Sequence, residues 1–314
     1  MGSHFRPVHA KRLLILLLLF TFGSIWIHPV PFTDSGVTPI PESFSPMESI
    51  ASDSSPFSLS GTDTVHILLI GQDERDHSSP SRADAILLCT LQKGSNQLIL
   101  TSFLRDLYVE IPGHDKNRLN AAYALGGSAL LLETLHHNFG ILPNISLEVD
   151  FSGFQEIVDT LGGVTLTLRQ DEADAINKST SGNLTEGTHR LNGREALAYV
   201  RIRKLDSDGD FSRTLRQQKL LKAILQTCSQ SSWRTLLSLA KDMISHADSD
   251  VSTTVLLRFA MEALPLLPQL QISGQQIPQA GTYTYETIQG MSVLAADLEA
   301  ARKHLQESLP THKP

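Results

Sequence analysis

The apolar positions divide the chain into three parts. From Leu13 to Ile27 the sequence LLILLLLFTFGSIWI runs almost without a polar residue. From Pro29 to Ser60 the apolar positions lose any periodicity, and beyond them short apolar runs alternate with helical patterns. VHILLIG (Val65 to Gly71) is a continuous, β-branched run that predicts a buried strand. AILLCTL and LILTSF predict a second and a third, separated from their neighbours by the polar QDERDHSSPSRADA and the turn-like KGSNQ. LYVEIPG, after Arg105 and Asp106, predicts a fourth.

Asn120 to His136 reads as a helix whose internal Gly126-Gly127 indicates close packing or a nearby ligand, because glycine weakens a helix interior. LEVDF, FQEIVDTL and VTLTL predict a strand-helix-strand unit. Helical patterns follow at Arg213 to Gln230, Leu236 to His246 and Thr253 to Leu264, then the strands LQISGQ and TYTYE, and a closing helix from Ala295 to Leu309. Mixed elements without a repeat predict an α/β fold, an α/β/α sandwich around a mixed central sheet, over residues 61–310. Polar residues sit at the ends of successive strands, where ligands bind in open α/β sheets.

The fifteen-residue apolar run is short of the about 20 residues that span a bilayer. Ala10 and His28 to Val30 extend it into the interfaces. Arg6, Lys11 and Arg12 precede it, and no Lys or Arg follows until Arg75, which places the N-terminus in the cytoplasm and the remainder outside. A cleaved signal peptide is the competing reading, but no small-x-small cleavage site follows Ile27. Residues 1–28 therefore read as a short cytoplasmic tail and an N-terminal transmembrane helix, a single-pass anchor in the cell membrane. Residues 29–60, with six prolines and nine serines, read as a disordered spacer.

The 314 residues carry a net charge of −7. That argues against nucleic acid as a partner, since duplex binding draws on a basic surface. The basic residues are concentrated instead. Arg201, Arg203, Lys204, Arg213 and Arg216 fall within sixteen positions, interleaved with Asp206, Asp208 and Asp210 and followed by Gln217 and Gln218. Two readings stand for that run: guanidinium forks converging on a small group with more than one phosphate, or a series of surface ion pairs each contributing roughly 0–1 kcal/mol. Asp73, Arg75, Arg82 and Asp84 share the first polar loop, Arg105 and Asp106 follow the third strand, and Arg118 precedes the glycine-containing helix. Hard carboxylate oxygens and cations around one anion suit divalent-metal phosphate chemistry.

The twelve histidines contain no His-x-x-x-His pair, which argues against a zinc hydrolase. Cys89 and Cys228 lack metal or redox spacing and read as buried thiols, with a bridge between them left open.

In order and spacing, GQDERDHSSPSRADAILLCTL, LTSFLRDLYVEIPG, RLNAAYALGG, FSGFQEIVDTLGGV and LNGREALAYVRIRK with DFSRTLRQQ resemble the LytR-CpsA-Psr family from about Val65 to Leu225. The resemblance implies a phosphotransferase on the outer face of a bacterial membrane. Its donor would be a polyprenyl-pyrophosphate-linked glycopolymer such as teichoic acid or capsule, and its acceptor peptidoglycan. It implies that Asp73 and Asp84 hold Mg²⁺ or Mn²⁺, and that Arg82, Arg105, Arg201 and Arg203 grip the pyrophosphate. Arg213 and Gln217 would add contacts or position Asp210, with Arg75, Asp106 and Arg118 supporting them. Asp84, Arg105, Arg201 and Arg203 would carry the catalysis, with no residue marked as general base. Leu104 replaces the family's usual proline before the Arg-Asp pair, and Arg118 stands where lysine is frequent. A polyprenyl tail requires an apolar slot; the helices Ala121 to Leu135 and Leu215 to Leu225 read either as its walls or as ordinary core. Two other functions compete: hydrolysis of the same lipid-linked substrate, and membrane-bound transcriptional attenuation, which the charge asymmetry and the absence of a basic recognition helix oppose.

Overall fold

Alternate residues of the first strand point into two different cores, which is why its sequence is apolar throughout. The computed structural model describes residues 64–72, 83–92, 94–203, 205, 210–231, 266 and 269–309. In β1 (Thr64–Gln72), Ile67 and Leu69 enter one cluster and Leu68 and Ile70 the other. β2 (Ala83–Gln92) and β3 (Gln97–Phe103) add antiparallel neighbours with the same double burial. Strand doubly covered by other layers shows this continuous pattern.

After β3 come the two-residue pair β4 (Tyr108–Val109) and β5 (Asn117–Arg118), α1 (Leu119–Phe139), β6 (Ile145–Val149), α2 (Phe151–Thr160), β7 (Val164–Leu168), α3 (Gln170–Thr180), β8 (Gly187–Leu191), α4 (Gly193–Val200) and α5 (Asp210–Gln230). β9 (Gln271–Ile277), β10 (Tyr283–Ile288), β11 (Met291–Ala296) and α6 (Leu298–Ser308) complete the described elements. The central sheet runs β6-β1-β2-β3-β9, with β6 parallel to β1 and β9 parallel to β3. One core lies between the sheet and α2, α4 and α5, and the other between the sheet and α1 and α6. The expected mixed sheet between helical layers is the fold observed.

Three expected elements are placed differently. LYVEIPG contributes only Tyr108–Val109, paired with Asn117–Arg118 outside the central sheet. The place beside β3 is filled by β9, whose Ile277 carbonyl also accepts from Leu104 N at 2.8 Å. VTLTL does not return to the central sheet to complete a strand-helix-strand unit; it forms a hairpin ribbon with β8. Val164, Leu166 and Leu168 are buried while Thr165 and Thr167 are exposed, the alternation of a ribbon with one wet face. The closing helix begins at Leu298, not Ala295, because Asp297 caps it by accepting from Ala300 N at 3.0 Å and β11 claims residues 291–296. α3, β8 and α4 were not anticipated. α4 nevertheless carries a readable capping box, Asn192 accepting from Glu195 N and Glu195 from Asn192 N.

The double glycine of α1 bends the helix. Gly126 and Gly127 have non-helical dihedrals, and Gly127, at φ 65° and ψ −158°, occupies a region essentially reserved for glycine. Cys89 and Cys228 are both buried free thiols, and burial pushes each up to about 12. The expected membrane helix, the spacer and the helices expected at 236–246 and 253–264 lie outside the described residues. Among the described residues, no helix is long and apolar enough to cross a membrane.

α2 and α4 touch backbone to side chain at Gly193. A Cβ there would lie 2.3 Å from the Gln155 carbonyl oxygen, and Gly193 N donates to Asp159 Oδ1 at 2.7 Å. Gly193→Ala must force the two helices apart. It is expected to lower the unfolding free energy by about 1–3 kcal/mol, visible as a lower Tm in thermal unfolding, whereas an unchanged Tm would show that this contact is not tight in solution.

Candidate active site

One edge of the sheet gathers the charges. β1, β3, β6 and β9 end there, and the antiparallel β2 begins there, its register shifting between Gly71 and Gln72. Asp84 is the second residue of β2, at a bulge between Ala83 and Ala85, which pair with Gln72 and Gly71, whereas its polar surroundings in sequence suggested a loop residue. This places the carboxylate at a rigid margin.

Three arginines from different segments converge on it. Arg105, in the turn after β3, donates from Nη1 to Asp84 Oδ1 in a short contact. Arg203, beyond the end of α4, donates from Nη2 to Oδ2 at 3.0 Å. Arg213, in the first turn of α5, donates to the Asp84 backbone carbonyl at 2.9 Å and pairs with Asp210 Oδ1 at 2.7 Å. Arg105 Nε lies 3.3 Å from Asp210 Oδ1 and 3.5 Å from Asp106 Oδ2, and Arg118 Nη1 lies 3.6 Å from Asp106 Oδ1. Of the sequence-derived set, Asp84, Arg105, Asp106, Arg118, Arg203, Asp210 and Arg213 thus meet in one network of alternating charge. The polar atoms Arg105 Nε, Arg118 Nε, Arg213 Nε and Asp210 Oδ2 are buried there without a hydrogen bond among the described residues. Such atoms in a native site mark a place where a ligand's polar groups can be received.

The charge states follow from the neighbours. Burial pushes the Asp84 carboxyl up, but Arg105, Arg213 and Arg203 outweigh it and hold it below the usual carboxylate range. At Asp210 the balance is reversed, and burial, opposed by Arg213 and Arg105, leaves the carboxyl above its ordinary value. Burial opposes the charge on Arg105 as well, but Asp210, Asp106 and Asp84 raise it overall. Arg213, more deeply buried, is pulled down to about 10 despite Asp210, and remains a cation at neutral pH. Two partly buried carboxylates thus sit in one cluster with opposite tendencies.

A cleft of about 830 Å³, including its open mouth, leads from this network between the sheet and α2, α4 and α5. Asp84, Arg203, Arg213 and Gln217 line its polar end; Leu69, Leu87, Phe154, Leu197, Leu220, Leu221 and Ile224 line the remainder. Arg201 also reaches the cleft, but its guanidinium lies over the Phe151 ring, 4.6 Å from the centroid, and not on the Asp84 network. The apolar wall comes from the C-terminal part of the Leu215 to Leu225 stretch, whereas α1 packs on the opposite face of the sheet and contributes none of it. Asp150 and Phe151, at the end of β6, belong to the cleft and were not anticipated; the readable signal was an Asp closing the strand LEVD and capping α2 through Gly153 N at 2.7 Å.

Arg216, in the basic run, and Gln218, which follows it, do not belong to the site. Arg216 is buried against Glu172, Nε to Oε1 at 2.9 Å. Gln218 donates to Ser102 Oγ at 2.9 Å and to the Gln275 carbonyl at 2.8 Å, holding α5 on the sheet. On a helix, successive residues point about 100° apart, so a dense run cannot serve one ligand with every side chain. Asp73, Arg75 and Arg82 lie outside the described residues.

The LytR_cpsA_psr family model matches residues 42–308. The chain belongs to the LytR-CpsA-Psr family. TagT of Bacillus subtilis, a polyisoprenyl-teichoic acid–peptidoglycan teichoic acid transferase, is 31% identical over 262 residues, 79% of this chain and 78% of TagT. The regulatory protein MsrR of Staphylococcus aureus is 37% identical over 179 residues, 56% of this chain and 52% of MsrR. The chain therefore spans about half the length of that relative. Among solved structures, TagT bound to LIIa-WTA superposes with a TM-score of 0.65 at 30% identity, covering 79% of this chain and 91% of that one. TagT with bound octaprenyl pyrophosphate lipid gives 0.60 at 28% identity, with 79% and 91% covered.

The folded pKa of Asp84 lies below its unfolded value, so this LytR-CpsA-Psr protein gains stability from the ionised carboxylate above about pH 4 and loses it as pH falls through the folded pKa. Denaturant unfolding of wild type and Asp84→Asn should therefore differ most near neutral pH, with the variant less stable, and converge in acid. A gap that is constant with pH would assign the effect to shape instead of charge.

Proposed function

We propose that this protein transfers a phosphoglycosyl polymer from a polyprenyl pyrophosphate carrier to peptidoglycan. The observation that carries the reading is the junction of an apolar cleft with a knot of arginines at its mouth, matching an amphiphile made of hydrocarbon and diphosphate. The likeness to TagT, solved with an octaprenyl pyrophosphate lipid and with LIIa-WTA, supports it. Residues 1–28 are proposed as a membrane anchor, which would present the cleft to a lipid carrier in the outer leaflet.

In this reading Arg105, Arg203 and Arg213 receive the diphosphate. Charge builds on the oxygens of a phosphoryl group in transfer, and positioned cations in a partly buried site stabilise it more than water does. Asp106 and Asp210 hold the Arg105 fork in orientation, and Arg118 steadies Asp106 from the start of α1. Arg201, Gln217 and Arg82 are assigned to the flanks of the same group. The acceptor hydroxyl attacks the phosphorus bearing the polymer, and the polyprenyl phosphate departs along the apolar cleft.

A divalent cation fits the donor set. Mg²⁺ is commonly held by one or two carboxylates together with substrate phosphates. Asp84 offers hard oxygens at the mouth of the cleft, and Asp210 Oδ2 is a buried oxygen without a hydrogen bond beside it. Asp84, with Asp73, would hold Mg²⁺ or Mn²⁺, which would supply further neutralisation of the diphosphate.

The test is transfer of a radiolabelled polyprenyl-pyrophosphate-linked sugar to peptidoglycan oligomers by the full chain in detergent, with Mg²⁺ or with chelator. Polymeric product is expected with Mg²⁺ and lost with chelator. Arg105→Ala should reduce kcat by about 10²–10³ with the fold intact by circular dichroism. Release of free sugar phosphate without transfer would make the protein a hydrolase, and full activity of Arg105→Ala would remove the arginine site from the mechanism.

A further inference from the structure

Arg213 and Arg216 are one helical turn apart on α5 and both are buried, yet they serve different surroundings. Arg213 faces Asp84 and Asp210. Arg216 turns toward α3, where its Nε meets Glu172 Oε1 at 2.9 Å with side-chain exposures of 5% and 6%. Its Nη1 approaches the Ile202 carbonyl oxygen at 3.5 Å, a long but buried contact. Glu172 is itself fixed, because Oε2 accepts from Arg169 N at 3.2 Å at the start of α3. A single guanidinium thus ties together the start of α3, the first turns of α5 and the peptide between Arg201 and Arg203.

Among the described residues, that peptide has little other anchorage. α4 ends at Val200, Arg201 N and Ile202 N make long bonds of 3.2 and 3.3 Å to the last turn, and Ile202 is the buried residue of the segment. Two residues that reach the cleft, Arg201 and Arg203, flank it. Arg203 also holds Asp84. For stability alone, a buried ion pair of this kind is commonly replaceable by apolar side chains of similar volume without loss. A hydrocarbon cannot hold a carbonyl oxygen in place.

We propose that the buried Arg216–Glu172 pair is a positioning element of the transfer reaction, fixing the Ile202 peptide so that Arg201 and Arg203 present their guanidinium groups to the diphosphate. The proposal rests on the reading of the cleft mouth as the diphosphate site. Arg216 acts through the backbone at Ile202 and does not touch substrate. Its role differs from that of Arg213, although sequence presents the two as equivalent members of one cluster.

The test compares the full-length wild type with Arg216→Met/Glu172→Leu, Arg216→Lys and Glu172→Gln. The apolar pair removes both charges together and is expected to keep Tm close to wild type while lowering kcat by roughly 10²-fold, the scale of a 1 Å misplacement in a reacting site, with a smaller change in KM. Arg216→Lys should not rescue, because an ammonium cannot present two separated donors to Glu172 and the carbonyl at once. Glu172→Gln keeps the shape of the partner and should lose less, guarding against failure of the double variant to fold. Amide hydrogen exchange without substrate gives a second readout: residues 201–203 should exchange faster in the apolar variant while α3 and α5 keep wild-type protection. Wild-type exchange at 201–203, or accelerated exchange with unchanged kcat, would overturn the proposal. If the wild type itself transfers nothing, the reading of the cleft fails, and the exchange data still decide whether Arg216 holds this segment.

Discussion

The structure at the sheet edge depends on one carboxylate. Three guanidinium groups brought this close would repel one another strongly in a partly desolvated place, and Asp84 is the group that lets Arg105 and Arg203 coexist with Arg213. Its location at a bulge in β2, between Ala83 and Ala85, which are paired to β1, holds the focus around which cations from three later segments assemble. Asp210 and Asp106 extend the same alternation outward, so most arginines in the network have an acidic neighbour and the cluster is close to neutral despite its density.

This arrangement also shows how an acidic protein can concentrate guanidinium groups in one place. The net charge of −7 is spread over the whole chain, whereas the arginines at the cleft are held at fixed positions by short-range contacts. Charges separated by more than about 10 Å are screened at ordinary ionic strength. What a ligand meets at the mouth of the cleft is therefore set by the local forks and not by the overall balance.

Much of the architecture was legible because strand burial writes itself directly into sequence. The unbroken apolar runs of β1 and β2 announced strands covered on both faces, and the alternating VTLTL carried, in its exposed threonines, the information that it belongs to a one-sided ribbon. The site was legible as a set of residue types at strand ends, since Asp84, Arg105, Asp106, Arg118, Arg203, Asp210 and Arg213 do meet. Direction around a helix was harder to read. Arg213, Arg216, Gln217 and Gln218 are neighbours in sequence, but rotation sends them to Asp84, to Glu172, to the cleft and to the sheet. Only the position of α3, which the pattern of apolar residues did not announce, reveals what Arg216 is for. The partnership of β9 with β3 was equally hidden, because it joins segments more than 170 positions apart.

The wall of the cleft is not a separate surface laid over the fold. Leu220, Leu221 and Ile224 belong both to the cleft and to the core between α5 and the sheet. A hydrocarbon chain seated there would be packed by the same side chains that hold the helix down, and so would act as a removable portion of the protein's own interior. Binding of such a chain would then tighten the α5 layer, and its departure would loosen the helix that bears Arg213 and Gln217.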